Sequence, residues 1–202
     1  TKKEEGLYII ISKPGPLFFA GPTVTVEPSA EALIDIVHLT HKMVSKLQVT
    51  PRIAMLSYSN FGSAKGETVN NVRKAVEHFH KAHPEMIIDG EMQASLAFNK
   101  ELMQENYPFS ELADQDVNTL IFPNLSAGNI AYNLMKELGT ADAVGPILLG
   151  LKKPVHILQL GSSIRSIVNM AAIAIVDAQL KSKANNSEEI VKKSRWWKRL
   201  KK

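Results

Sequence analysis

The stretch Gly145-Pro-Ile-Leu-Leu-Gly-Leu-Lys-Lys-Pro-Val-His-Ile-Leu-Gln-Leu-Gly-Ser-Ser163, continued by Ile164 to Gln179, decides the class of fold. Val155 to Leu160 is a short apolar run entered by a proline, which predicts a strand. Gly161-Ser162-Ser163 is a turn that ends on a helix N-cap residue. From Ile164 the residues Ile167, Val168, Ala171, Ala172, Ile175 and Val176 recur at helical spacing. Met170, Ile173 and Ala174 widen the apolar surface beyond one face, so this helix is predicted to be mostly buried. The stretch therefore reads as strand, turn and helix. The N–H groups of the first helical turn lack intrahelical partners and carry partial positive charge, so Gly161 to Ser163 is where an anionic group would dock.

The same unit recurs upstream. Arg52 to Leu56 is a buried-type strand, followed by the polar loop Ser57-Tyr-Ser-Asn-Phe-Gly-Ser63 and a helix from Glu67 to Ala82. Met86 to Ile88 is a short strand with Asp89-Gly-Glu-Met-Gln93 at its end. Ala94 to Met103 reads as a helix. Thr119 to Phe122 is a strand leading through Pro123-Asn-Leu-Ser-Ala-Gly-Asn129 into a helix from Ile130 to Leu138, stopped by Gly139. Leu7 to Ser12, Leu17 to Ala20 and Thr23 to Val26 are strands of the entry region, and Pro28-Ser29 starts a helix that runs to about Gln48. Strand, polar turn and helix repeated from residue 52 to 180 predict an α/β fold with a mostly parallel sheet flanked by helices. In such sheets the loops beyond the strand ends carry ligands.

The 202 residues include 24 Lys and Arg against 20 Asp and Glu, but the excess is local. From Lys181 onward the net charge is +7, which leaves the body at −3. The body is thus no nucleic-acid surface, and the Trp196-Trp197 tail reads as a solvated extension able to touch an anionic surface. No run reaches the ~20 apolar residues of a membrane span. The absence of cysteine excludes disulfides and thiolate chemistry and fits the cytoplasm. The opening Thr1-Lys-Lys-Glu-Glu, without an initiator Met or signal-like segment, is expected of a piece of something longer.

Several groups are candidates for chemistry, each with a plainer reading. Ser57 to Gly66 combines small residues, hydroxyls, an amide and Lys65, the composition of a polar-ligand loop, although a self-capped loop has the same composition. Asn124 to Asn129 forms a similar helix-start turn. Asp89 and Glu91 alternate like paired carboxylates but read more simply as a strand-end turn. His38 and His41 are three apart on one helix, while His78, His80 and His83 scatter around another. No third ligand stands at metal-site spacing, so no metal site is expected.

Met55-Leu-Ser-Tyr-Ser-Asn-Phe-Gly-Ser63, Asp89-Gly-Glu-Met-Gln93, Ile121-Phe-Pro-Asn-Leu-Ser-Ala-Gly-Asn-Ile-Ala-Tyr132 and Gly145 to Pro154 together resemble phosphotransacetylases, in order from Leu7 to Gln179. That family moves an acetyl group between coenzyme A and phosphate. The resemblance implies the two-domain α/β fold of isocitrate and isopropylmalate dehydrogenases, with the first domain incomplete here. Residues 1–143 would then be the second, inserted domain, 144–182 the C-terminal strand and helix of the first, and 183–202 a basic tail. The same module forms the C-terminal part of large bacterial NADP-dependent malic enzymes.

The resemblance also separates the two branches. Where the transferases end the last strand Asp-Leu-Ser-Arg-Gly, this chain has Ile157-Leu-Gln-Leu-Gly161. Gln159 replaces the reacting serine, Leu160 the arginine and Ser166 an aspartate, while Glu137 stands where the family has a further arginine. No catalytic residue is therefore expected, and the wording resembles the malic-enzyme branch. The implied role is a silent regulatory domain that senses acetyl-CoA or a related thioester and supports a homo-oligomer. NADP and a divalent metal would belong to a catalytic domain elsewhere in the same polypeptide. Ser59, Asn60, Gly62 and Ser63 would line one wall of the ligand site, Asn129 another, and Gln159, Gly161, Ser162, Ser163 and Arg165 the helix-start wall. The alternative is an active phosphate acetyltransferase.

Overall fold

Ile53, Ala54, Met55 and Leu56 are all buried, which requires cover on both faces of their strand, since alternate side chains point opposite ways. A computed structural model of the chain shows that cover. It describes residues 5–12, 15–22, 25–138, 142–151, 153–158, 161–179 and 182. Six strands, β1 (Glu5–Ser12), β2 (Gly15–Pro22), β3 (Arg52–Leu56), β4 (Ile87–Met92), β5 (Thr119–Ile121) and β6 (Asp142–Leu149), form one sheet in the order β4-β3-β5-β2-β1-β6. Helices α1 (Ala30–Lys46) and α2 (Glu67–Ala82) cover one face, where Leu33, Ile36, Val37, Val72, Ala75 and Phe79 pack with Ile53 and Met55. The other face carries α3 (Ala94–Ala97), α4 (Lys100–Asn106) and α5 (Leu125–Glu137), with Leu96, Met103 and Tyr132 packed around Ala54 and Leu56. The result is three layers with the sheet in the middle.

The sheet is mixed, which corrects the mostly parallel expectation. β3 pairs in parallel with β4 and β5, and β2 in parallel with β5. β1, however, is antiparallel to both β2 and β6. The physical reason is the short Ser12 to Gly15 connection, which admits only a hairpin. Among the described strands β1 alone runs against the others, so the ends of β2, β3, β4, β5 and β6 share one edge of the sheet. β6 pairs with β1 from Leu149 opposite Glu5 to Asp142 opposite Ile11, so the predicted boundary between residues 143 and 144 falls inside a strand of this sheet. Gly145 makes that pairing possible: its φ is +154°, and a Cβ there would lie 2.6 Å from Tyr8 Cδ1.

Other expectations shift at their ends. Thr25 and Val26 are exposed and outside any strand, and residues 23 and 24 lie outside the described ones. The predicted helix over 94–103 is broken at Asn99, whose side chain caps α4 by accepting from Leu102 N at 2.9 Å. Asn124 does the same for α5: its Oδ1 accepts from Ala127 N at 2.9 Å, and its Nδ2 donates to Glu27 at 3.1 Å. The helix therefore begins five residues before Ile130. Asn124→Ala removes the cap and the link to Glu27, and is expected to lower stability by about 1 kcal/mol in urea denaturation.

The final helix, residues 164–179, departs most from expectation. Met170 and Asp177 are buried, but Ile164 is 81% exposed, and Ile167, Val168, Ile175 and Val176 are also exposed. Periodicity counts apolar residues without knowing what lies across from them, and among the described residues little does. Asp177 lies 3.8 Å from His156 Nε2 and 4.0 Å from Lys46 Nζ, and so ties the helix to the segment after β6 and to the end of α1. No helix among the described residues is long and apolar enough to cross a membrane.

Candidate functional site

The loop after β3 is held by a carboxylate from the next strand. Glu91 is buried in β4, and its Oε1 accepts from Ser59 Oγ at 2.9 Å, Gly62 N at 2.8 Å and Arg73 at 2.9 Å. Its Oε2 accepts from Arg73 Nε at 3.1 Å, which makes the guanidinium pair two-pronged. Burial alone would raise Glu91, but the donors from Arg73, Gly62 and Ser59 outweigh it and hold the carboxyl below the usual range. Ser59 also accepts from Ala64 N at 3.0 Å, and Ser63 Oγ accepts from Asn60 N at 2.9 Å. Asn60 Oδ1 in turn accepts from Gln93 N at 2.7 Å, which fastens the loop to the end of β4.

Asp89 is the second buried carboxylate of β4 and anchors a different segment. Its Oδ2 accepts from Ser110 Oγ at 2.7 Å and Glu111 N at 3.1 Å, and its Oδ1 lies 3.6 Å from His80 Nε2. The sequence reading of Asp89 to Glu91 as a strand-end turn is thus overturned: β4 continues to Met92, and both acids lie within it. A cavity of about 400 Å³ opens beside them, lined by Phe61, Arg73, His80, Asp89 and Glu111 among others. The loop runs directly into α2, whose N-cap Gly66 has no side chain, so the first-turn N–H groups of that helix have no side-chain cap. Beside them Tyr58 and Ser63 are exposed.

The structure sorts the sequence-predicted site residues into three places. Ser59, Asn60, Gly62 and Ser63 come together in the loop just described. Ser59 is fully buried, with its hydroxyl donating to Glu91. Asn129 sits on α5 at a narrow cavity of about 40 Å³ lined by Tyr8, Phe19, Gly21 and Phe122. Its Oδ1 accepts from Asn133 at 3.0 Å. Gly161, Ser162, Ser163 and Arg165 lie at the start of the final helix, and Ser163 is its cap: Ser163 Oγ accepts from Ser166 N at 3.1 Å and lies 2.9 Å from Ser166 Oγ. Gln159 and Leu160 lie outside the described residues.

Arg73 is not singled out by the sequence, and Asp89 and Glu91, weighed there as paired carboxylates, are set aside for a strand-end turn. The usable signal was two acids flanking a glycine on a strand otherwise apolar enough to be buried, where each acid needs a donor. Three of the histidines that scatter in the sequence converge in space. His38 on α1 lies with His78 and His83 at the end of α2, and one ring nitrogen of each falls within 4.8 Å of the other two. Burial first, then His83 and His78, hold His38 below the usual histidine range.

Comparison with known proteins places this arrangement. The phosphate acetyl/butaryl transferase family model matches residues 2–175. The phosphate acetyltransferase of Clostridium acetobutylicum is 43% identical over 166 residues, which are 82% of this chain and 50% of that protein. The NADP-dependent malic enzyme of Escherichia coli is 39% identical over 166 residues, covering 82% of this chain and 22% of the enzyme. Among solved structures, the EutD phosphotransacetylase of Staphylococcus aureus superposes with a TM-score of 0.80 at 33% identity, over 87% of this chain and 54% of that one. The chain spans about half the length of the transferase relatives it matches.

Proposed function

The chain belongs to the phosphate acetyl/butaryl transferase family, and from that premise we propose that it binds acetyl-CoA or a related thioester without transferring the acetyl group. It serves as a phosphotransacetylase-like regulatory domain of an NADP-dependent malic enzyme that decarboxylates malate to pyruvate. One observation carries the silent half of this reading. At the position where the resemblance expects an aspartate, Ser166 pairs its hydroxyl with the helix cap Ser163 at 2.9 Å. No carboxylate stands there to take a proton, and Gln159 and Leu160 replace the serine and arginine of the preceding strand end. An apolar side chain in place of an arginine removes two-pronged phosphate pairing.

On the same reading strands β1 to β5 lie in the second domain of a two-domain fold of the isocitrate/isopropylmalate dehydrogenase kind, and residues 144–182 belong to its first. The missing wall, the NADP site and the divalent metal belong to the rest of the polypeptide, and the assembly is a homo-oligomer. Binding regulates only through different affinities for two states of that assembly.

The rival reading, an active phosphate acetyltransferase, is favoured by the 43% identity to the Clostridium acetobutylicum enzyme. The full-length gene product separates the two. Calorimetry is expected to show acetyl-CoA binding, while coenzyme A with acetyl phosphate yields no sustained acetyl-CoA. Steady acetyl-CoA formation establishes the rival, and absence of acetyl-CoA binding removes the regulatory reading.

A further inference from the structure

We propose that His38, His78 and His83 form a binding site for a transition-metal dication of the Zn²⁺ class that staples the end of α2 to α1. The three rings come from two helices 40 residues apart in sequence, and one nitrogen of each lies within 4.8 Å of the other two. Ring centroids are separated by 4.8 Å for His38 and His83, 6.2 Å for His78 and His83, and 6.5 Å for His38 and His78. Around a tetrahedral Zn²⁺ with nitrogens at about 2.0–2.1 Å, neighbouring ligand atoms stand about 3.3 Å apart. Closing from 4.8 Å takes side-chain rotation at a half-open surface, where His78 is exposed and the other two are partly so.

The backbone explains why these rings meet. Five residues of continuous helix would turn His83 about 140° away from His78. His83 is instead the C-cap of α2, with φ −140° and ψ 59°, and this departure from the helix carries its ring back toward α1. His38 is wedged edge-on against Phe79 at 4.9 Å, which limits its rotation. His83 Nδ1 lies 3.2 Å from Glu85 Oε1. A carboxylate on the non-ligating nitrogen is the support that metal-bound imidazoles use, and it leaves Nε2 for the cation. The end of a helix is also its negative pole, which favours a cation there.

The donor set selects the metal. Three imidazole nitrogens suit Zn²⁺, Ni²⁺ or Cu²⁺ and not the oxygen-seeking Mg²⁺ or Ca²⁺. The site is not at the candidate ligand loop, since α2 starts beside that loop and its 16 residues span about 24 Å. Its effect is therefore to fix the two helices that cover one face of the sheet.

The test uses the chain stripped with EDTA. ZnCl₂ titration by calorimetry is expected to show one site per chain, with Mg²⁺ silent. At a hundredfold excess over Kd the melting temperature should rise by about 5–10 °C. No cysteine competes for the ion, and the segment from Lys181 onward contains no histidine. His78→Gln removes an exposed ligand without touching the core and should weaken Zn²⁺ at least about tenfold. It should also abolish the visible bands that Co²⁺ develops on a tetrahedral nitrogen site. Zn²⁺ affinity unchanged in both His78→Gln and His83→Gln, or no binding at millimolar Zn²⁺, overturns the proposal.

Discussion

Arg73→Leu is expected to destabilise the protein by about 3 kcal/mol at pH 7, a fall in Tm of about 6–12 °C. The cost is not the loss of a surface ion pair, which would be under about 1 kcal/mol. Glu91 has a side chain only 1% exposed, and it keeps its charge because Arg73 holds both oxygens. Without the guanidinium a buried carboxylate is left with Ser59, Gly62 and its own backbone N–H as donors. The Arg73 side chain is 37% exposed, so water reaches the vacated place and the cost falls at the lower end for a broken buried pair. Arg73→Lys restores charge but not the two-pronged geometry, and should recover about half of the loss.

The pH dependence separates this account from a simple packing defect. In the parent chain the Glu91 carboxyl is held below its ordinary value of 4.5. It therefore contributes stability that is present above that value and lost as pH falls through its folded pKa. In Arg73→Leu the strongest favourable partner is gone and burial dominates, so the carboxyl titrates higher and the acid no longer pays the desolvation cost once protonated. Urea denaturation at pH 7 and pH 4 should show the gap between variant and parent shrinking in acid. A gap that stays constant would mean that Arg73 matters for packing alone.

The loop that Glu91 holds was legible from sequence as small and polar, while its anchor was not. Ser59 to Ser63 announces itself by composition, but the carboxylate that orders it lies 32 residues on and the guanidinium 18 residues before that acid. Such a partnership has no period and no fixed spacing. The long helices α1 and α2 were legible because burial against one sheet face imposes a 3.6-residue period on each of them. The hairpin of β1 and β2 was readable as two strands, yet their insertion beside β5 depends on pairing across about a hundred residues. The final helix failed for the opposite reason. Its apolar width predicts burial, but among the described residues only Met170 and Asp177 of its length are buried, because helical spacing carries no information about what packs across from it. The three histidines fall in the same class as Glu91, since His38 meets its partners only after α1 packs on α2.

Restoring Gln159→Ser, Leu160→Arg and Ser166→Asp together with Glu137→Arg is expected to raise acetyl transfer from acetyl phosphate to coenzyme A by at least about 10²-fold in the full-length protein. The four changes return the groups that the phosphotransacetylase resemblance assigns to the reaction: a hydroxyl, two guanidinium groups for phosphate and a carboxylate to accept a proton. Two of the sites are suited to the change on physical grounds. Residue 166 is the third residue of the final helix, counted from its cap Ser163. A carboxylate there faces the positive pole of the helix and can also reach back to the cap. Residue 137 is the last of α5, where a glutamate opposes the negative pole and an arginine complements it. The variant should therefore fold as well as its parent, and circular dichroism with thermal melting can verify this independently of activity. An unchanged melting temperature with no gain in acetyl transfer would show that these four positions are not what silences the site. A gain in kcat with little change in KM would locate their contribution in the transition state.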